Sequence, residues 1–238
     1  MATEKVKYNR VIIKLSGEAL AQDNGNGIDA KKLEFVCKQI VEVKQMGVDV
    51  GIVIGGGNFW RGRQADDHMN RSTADHMGML ATVMNALAIQ DKLEQLDVPV
   101  RVQTALTITN VAEPYILRKA IRHLEKGRIV IFACGTGNPY FSTDTGAALR
   151  ACEIGASALL LAKNVDGVYD CDPKTNCNAH KFDEISYIEV ISRGLKAMDT
   201  TAITMCMENR IPIVVFSLMQ ENSMRDAILG LNNGTLIK

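Results

Sequence analysis

Val48-Asp49-Val50-Gly51-Ile52-Val53-Ile54-Gly55-Gly56-Gly57-Asn58 is the stretch on which the fold turns. From residue 50 to 54 no position is polar, so a strand here is apolar on both faces of its pleat, and three glycines then stop it. Such a strand is covered on both sides by helices, the pattern of a mostly parallel sheet inside an α/β chain. Similar runs recur at 10–15, 98–103, 128–133, 157–162 and 211–216. Between them the period changes to helical. Leu33, Val36, Cys37 and Ile40 share one face behind Asp29 as N-cap, with Gly47 placed to end the helix. Met77, Leu80, Ala81, Met84 and Leu87 form a stripe on a helix of about twenty residues beginning near Thr73. That Met-rich stripe suits either core or a subunit interface, and core is the simpler reading. No repeat, linker or charge block divides the 238 residues. The expectation is one domain over residues 1–238, a three-layer α/β/α sandwich around a central, mostly parallel sheet.

Composition narrows the function. The hydrophobic share is 47% and the charged share 23%, values of an ordinary folded chain. Lys plus Arg and Asp plus Glu are both 27, so no excess of positive charge marks a nucleic-acid binder, and no apolar run is long enough for a membrane span. Residues 1–17 lack the apolar core of a signal peptide, and the six cysteines contain no CxxC pair, so a cytoplasmic protein with reduced thiols is expected. Cys171, Cys177 and His180 have the spacing C-x5-C-x2-H, which matches no structural zinc pattern, and no metal site built from side chains alone is expected.

In an open parallel sheet ligands bind beyond the carboxyl ends of strands. Lys14-Leu15-Ser16-Gly17 puts a cation beside a glycine at the first such end. The triple glycine calls for positive φ or for a close approach with no Cβ in the way, and Arg61 offers a fork of donors to the same phosphate. Residues 135–144 combine glycines, hydroxyls, an amide, two aromatics and Asp144 within ten positions, a mixture suited to base, sugar and phosphate, before a helix near Thr145. Residues 163–173 carry the turn signals Asp166-Gly167 and Asp172-Pro173, which a structural role explains equally well. No G-x4-G-K-[ST], no G-x-S-x-G and no protein-kinase motif set is present, and the formal G-x-G-x-x-A at Gly25, Gly27 and Ala30 lies too far from a strand end to hold a dinucleotide. What is left is phosphate handling by glycine loops and isolated cations.

Together, residues 14–20 (KLSGEAL), 53–58 (VIGGGN), 74–82 (ADHMGMLAT), 135–141 (GTGNPYF) and 165–169 (VDGVY) resemble the bacterial uridylate (UMP) kinases of the amino acid kinase superfamily. The resemblance runs in order through nearly the whole chain to Gly234-Thr235-Leu236-Ile237. It implies transfer of phosphoryl from ATP to UMP with Mg²⁺, in a cytoplasmic homohexamer activated by GTP and inhibited by UTP. It also implies an N-terminal part mainly on the UMP side and a C-terminal part mainly on the ATP side. Carried onto this chain, Lys14, Leu15, Ser16 and Gly17 contact the ATP phosphates, joined by Gly57 and Arg61. Lys163, Asn164, Tyr169 and Asp172 form the adenine and ribose side. Gly56 meets UMP, Asp75 holds its ribose hydroxyls, and Thr136, Gly137, Asn138, Pro139, Tyr140, Phe141, Ser142 and Thr143 wrap it. Gln22, Asp23, Asn24, Gly25, Asn26 and Gly27 match the GTP segment. Lys14, Arg61 and Asp144 are the expected catalytic residues, with Asp144 orienting Lys14. A UMP phosphate is already ionised at neutral pH, so the reaction needs preplaced positive charge and N–H donors and no general base. The rival readings are a kinase of the same superfamily acting on another small phosphate or carboxylate, and a nucleotide-binding protein without turnover.

Overall fold

A computed structural model describes residues 5–60, 68–173, 175–176, 178–231 and 234–238. Among them the strands are β1 Arg10–Leu15, β2 Asp49–Ile54, β3 Val100–Thr104, β4 Glu113–Pro114, β5 Ile129–Ala133, β6 Ala158–Lys163, β7 Val168–Tyr169, β8 Lys181–Phe182, β9 Glu184–Ile185, β10 Ile213–Ser217 and β11 Thr235–Ile237. The helices are α1 Ala30–Gln45, α2 Arg71–Gln95, α3 Leu117–Glu125, α4 Thr143–Ile154, α5 Tyr187–Ser192, α6 Thr200–Glu208 and α7 Ser223–Leu229. Nine strands make one sheet in the order β4-β3-β5-β2-β1-β6-β10-β11-β9, and β7 pairs with β8 as a separate hairpin. Every neighbouring pair in the large sheet is parallel except β10 with β11.

The two-faced strands divide their side chains between two cores. Val11, Ile13, Val50, Ile52 and Ile131 pack with Ile40 of α1, Ile89 of α2 and Ile228 of α7. Ile12, Val53, Val130 and Phe132 point the other way, toward Leu124 of α3, Ala147 of α4 and Ile203 of α6. This is the three-layer α/β/α arrangement, with a mostly parallel sheet in the middle. Burying a Val, Leu or Ile side chain contributes roughly 1.5–3 kcal/mol, and here nearly every central strand residue does so.

Register then builds the working edge. Lys14 lies opposite Val53 on one side and Leu161 on the other, and Val53 opposite Phe132. The carboxyl ends of β1, β2, β5 and β6 are therefore level, and the loops that leave them stand side by side.

Two helices differ from their sequence-based expectation. α1 begins as expected, with the Asp29 carboxylate accepting from the Lys31 and Lys32 amides at 2.8 and 2.9 Å. α2 begins at Arg71, because Asn70 accepts from the Ser72 and Thr73 amides, and it runs 25 residues. Its buried face is Met79, Val83, Ala86, Ile89 and Leu93, while Leu80 and Met84 are each 50% exposed and Met77 is 36% exposed. The core reading of the stripe is thus overturned at Met77, Leu80 and Met84, while Ala81 is buried and Leu87, partly buried, packs against the core. Apolar residues surround much of the stretch 77–89, so periodicity there offers two stripes; the charges that mark the exposed one, Asp91 and Glu94, come only a turn or two further on. α4 starts at Thr143 and not near Thr145, since the Ser142 hydroxyl caps it by accepting from the Asp144 and Thr145 amides.

Candidate active site

At the centre of the edge the Lys14 ammonium lies 2.7 Å from the Asp144 carboxylate, both side chains largely buried. Lys14 is the last residue but one of β1 and Asp144 lies in the first turn of α4, so the pair joins the sheet to the start of α4. Lys163, at the end of β6, is close enough to feel both: burial pushes its ammonium below the ordinary lysine range, the Asp144 charge opposes this and Lys14 adds to it.

The glycine loops meet here in direct contact. A Cβ on Gly17 would lie 2.5 Å from both the Gly55 carbonyl and Asn58 Oδ1. One on Gly56 would lie 2.7 Å from the Ala81 Cβ and 2.8 Å from the Gly78 carbonyl. Gly55 and Gly56 do not have positive φ. The triple glycine exists in part because α2 lies against it, a reason the sequence left open between conformation and close approach.

One cavity opens between this loop, the start of α2 and the loop before α4. It is lined by Gly56, Trp60, Ala74, Asp75, Gly78, Met79, Thr82, Cys134, Gly135, Thr136, Asn138, Phe141, Ser142 and Thr143. Of the acceptor-side residues named from sequence, Gly56, Asp75, Thr136, Asn138, Phe141, Ser142 and Thr143 are here. Gly137, Pro139 and Tyr140 are not among its lining: Gly137 turns at φ +81° beside Ala105, and Tyr140 is 69% exposed. The Asp75 carboxylate accepts from Arg71 Nε at 3.0 Å and from the Tyr140 amide at 2.8 Å, tying α2 to the loop. Sequence reasoning passed over Trp60, Gly78, Thr82, Cys134 and Asp199. Thr82 Oγ1 accepts from the Cys134 amide at 2.8 Å and donates to the Met79 carbonyl at 2.6 Å. It holds a backbone in which Cys134 (φ +66°) and Gly135 (φ +55°) are left-handed in succession. Asp199 accepts from the hydroxyls of Ser142 and Thr145 and caps α6 through the Ala202 amide. A threonine facing the core side of a helix was the available signal for Thr82; Asp199 offered none.

A second cavity lies on the other side of the lysines. Lys163, Val165, Tyr169, Asp170, Asp172 and Pro173 form one wall, and residues 193–197 with Val215 the other. Lys163, Tyr169 and Asp172 were named from sequence; Asn164 does not line it, and the segment after α5, with Arg193 and Lys196, was missed. The Tyr169 hydroxyl donates to Asp166 at 2.7 Å, which raises the phenol's pKa. Burial works to raise the Asp166 carboxyl, but Tyr169 and Lys181 outweigh it and hold the carboxyl below its ordinary value.

The remaining named residues are placed as follows. Leu15 is wholly buried, so its side chain belongs to the core and only its backbone reaches the edge. Ser16 is half-buried and Gly17 buried at the turn between Lys14 and the short 3-10 helix. Gly57 sits beside them, its amide near the Cβ position of Gly17. Arg61 lies outside the described residues. Gln22, Asp23, Asn24, Gly25, Asn26 and Gly27 form a tight loop, with the Gly25 amide on the Gln22 carbonyl at 2.8 Å and φ +80° at Gly25. That loop abuts the glycine loop, since the Gly27 amide donates to the Asn58 carbonyl at 3.0 Å. Among the described residues no group of three His, Cys, Asp or Glu is arranged to hold a metal. Asp144 is the carboxylate at the junction.

Level strand ends, glycine loops packed without Cβ atoms and a lysine–carboxylate pair between two cavities define an α/β/α protein that handles phosphate. The chain belongs to the amino acid kinase family, whose model matches residues 9–217. It is similar to the UMP kinase from Bacillus anthracis (40% identity, TM-score 0.95, covering 97% of this chain and 96% of that one). It is similar as well to the UMP kinase from Ureaplasma parvum (38%, TM-score 0.92, 98% and 99%) and to the uridylate kinase from Archaeoglobus fulgidus (27%, TM-score 0.73, 96% and 99%).

Proposed function

We propose that the chain is a uridylate kinase, transferring the γ-phosphoryl of ATP to UMP to give ADP and UDP, a step in making pyrimidine nucleotides. The observation that carries this is the Lys14–Asp144 ion pair, with Thr143 of one cavity next to Asp144 in the chain and Lys163 of the other within its electrostatic reach, on a fold that matches UMP kinases along nearly its whole length. The cavity beside Gly56 and Asp75 takes UMP and the one beside Tyr169 takes ATP, which divides the work between a mainly N-terminal acceptor side and a mainly C-terminal donor side within one domain.

Two polyanions have to be brought together, and repulsion is the obstacle. Lys14 is positioned for the phosphates by its bond to Asp144, Lys163 stands next to it, and the amides of Gly56 and Gly57 and the guanidinium of Arg61 add donors; little covalent work is asked of the protein. Mg²⁺, when bound with the nucleotide, neutralises part of the phosphate charge. Asp144 is the residue that fits a water of that ion, and the ion is held mainly through the phosphates. Leu15, Ser16 and Gly17 serve through their backbone on the ATP side, with Lys163, Tyr169 and Asp172 around adenine and ribose. Thr136, Asn138, Phe141, Ser142 and Thr143 enclose UMP.

Met77, Leu80 and Met84 form an exposed apolar row, which supports a homo-oligomer, by resemblance a hexamer. GTP activation through residues 22–27 and inhibition by UTP complete the proposal, as does a cytoplasmic location; among the described residues no helix is long and apolar enough to cross a membrane. The test is UDP formation by the purified protein from ATP and UMP, beside a panel holding CMP, N-acetylglutamate and isopentenyl phosphate. UMP is expected to be used far above the others. Preference for another acceptor overturns the substrate assignment, and no turnover with any of them overturns the kinase reading.

A further inference from the structure

Two asparagines that no role above uses stand behind the triple glycine. Asn58 is 1% exposed and Asn85, in the middle of α2, is wholly buried. A buried primary amide is costly unless its hydrogen bonds are made, and asparagine is a poor helix former besides. Here every donor is satisfied. Asn85 Nδ2 donates to the Gly55 carbonyl and to Asn58 Oδ1, both at 2.7 Å. Asn58 Nδ2 donates to the Gly27 carbonyl at 2.7 Å and to Asn85 Oδ1 at 3.0 Å. All four N–H bonds of the two amides are used, and each amide accepts from the other. Turning either one over would set oxygen against a carbonyl oxygen, so only one arrangement is satisfied.

Three backbone segments converge on this pair: Gly55 from the glycine loop, Gly27 from the 22–27 loop, and Gly17, whose missing Cβ would lie 2.5 Å from Asn58 Oδ1. These segments meet largely through glycine, which has no side chain with which to hold itself. We propose that Asn58 and Asn85 are positioning residues for phosphoryl transfer: their reciprocal amide pair sets the glycine loop against the Lys14–Gly17 turn and makes that setting depend on where Gly27 lies. Neither residue lines either cavity. Their effect is on how well the amides of Gly56 and Gly57 are aimed, and misplacement by about 1 Å is enough to cost on the order of 100-fold in rate. This deepens the kinase reading and rests on it.

The experiment uses Asn58→Leu, Asn85→Leu and the double variant, since leucine keeps much of the shape and none of the hydrogen bonds. Turnover is measured at a temperature where circular dichroism shows each variant folded, with KM for both substrates, and hydrogen exchange is followed by mass spectrometry. Each single change is expected to lower kcat about 10- to 100-fold with smaller changes in KM. The double variant is expected to be no worse than the poorer single one, because either change breaks the same pair. In Asn58→Leu the amides of 55–57 and 22–27 should lose protection together while β1 keeps its own. The inference stands if turnover and protection both move and falls if either stays within twofold of the parent. Should the parent form no UDP, the kinase reading falls by itself and the exchange arm alone decides this one. If a leucine variant does not fold, Asn58→Ser and Asn85→Ser carry the same readouts.

Discussion

The two cavities flanking Lys14 are built by different means. The cavity we assign to the acceptor is closed by contacts between residues far apart in sequence: Thr82 holds Cys134, Asp75 holds Tyr140, Asp199 holds Ser142 and Thr145, and α2 touches Gly56 without a Cβ between them. The cavity we assign to the donor has one wall in a short hairpin whose side-chain bonds are more local, Tyr169 and Lys181 on Asp166, and its other wall in residues 193–197 and Val215. The first is packed so closely that a Cβ at Gly56 has no room, and the second carries exposed side chains on both its walls. The difference suits a site that must choose one small acceptor closely while holding a donor by its phosphates.

Changes can be chosen to break or sharpen this contrast. The largest effect is expected at the Lys14–Asp144 pair. Lys14→Ala should lower turnover about 10²- to 10⁴-fold, the range for deleting a preorganised charge donor, with the protein still folded; steady-state rates check it, and an unchanged rate would refute the assignment. Next comes the close packing itself. Gly56→Ala places a methyl group against Ala81 and the Gly78 carbonyl, and overpacking of this kind costs about 1–3 kcal/mol. A melting temperature lower by roughly 2–10 °C and a raised KM for UMP are expected, whereas an alanine at Gly47, where no atom lies within 4 Å of the added Cβ, should disturb neither KM.

Asp75→Ala should raise KM for UMP by about one to two orders of magnitude, the effect of losing a buried charge-assisted bond, and leave KM for ATP near its parent value. Equal effects on both would mean the cavities do not divide the substrates. The smallest effect lies at Lys163 and has a definite sign. Its folded pKa is depressed below the ordinary 10.5, chiefly by burial, so the unfolded chain holds that proton more tightly. Stability therefore rises with pH between the depressed value and 10.5. Lys163→Met removes this cost, so the variant should melt higher at neutral pH by about 1–4 °C, and the gap should narrow as the solution is made alkaline. Thermal melts of both proteins across that range would test it; a gap that widens would reverse the sign.

Much of the site was legible in the sequence alone. Lys14 and Lys163 stand at the carboxyl ends of β1 and β6, the glycine loop and the loop 135–144 come just after β2 and β5, and a strand apolar on both faces announces its own end. The helix caps at Asp29 and Ser142 belong to the same local chemistry, although only the first was placed correctly. Legibility stops where a role depends on a distant partner. Asp199 serves a loop more than fifty residues away, and nothing around residue 199 signals it. Trp60, Thr82 and Asn85 look like ordinary members of a loop and of a helix until the loops they support are brought up to them. The exposed row on α2 failed for a related reason: which of two apolar stripes turns inward is decided by the sheet the helix lies on.

By itself the sequence determined the layered α/β plan, the six long strands β1, β2, β3, β5, β6 and β10 but not the short β4, β7, β8, β9 and β11, and the set of strand-end loops able to meet phosphate, because these follow from the alternation of side chains and from the backbone freedom of glycine, both properties of neighbouring residues. Only the tertiary structure decided which loops touch, that Gly56 is small because a helix lies on it, and that two buried asparagines join three loops. Those facts rest on the register between β1, β2, β5 and β6 and on how closely the layers approach, quantities that exist only once the chain has folded.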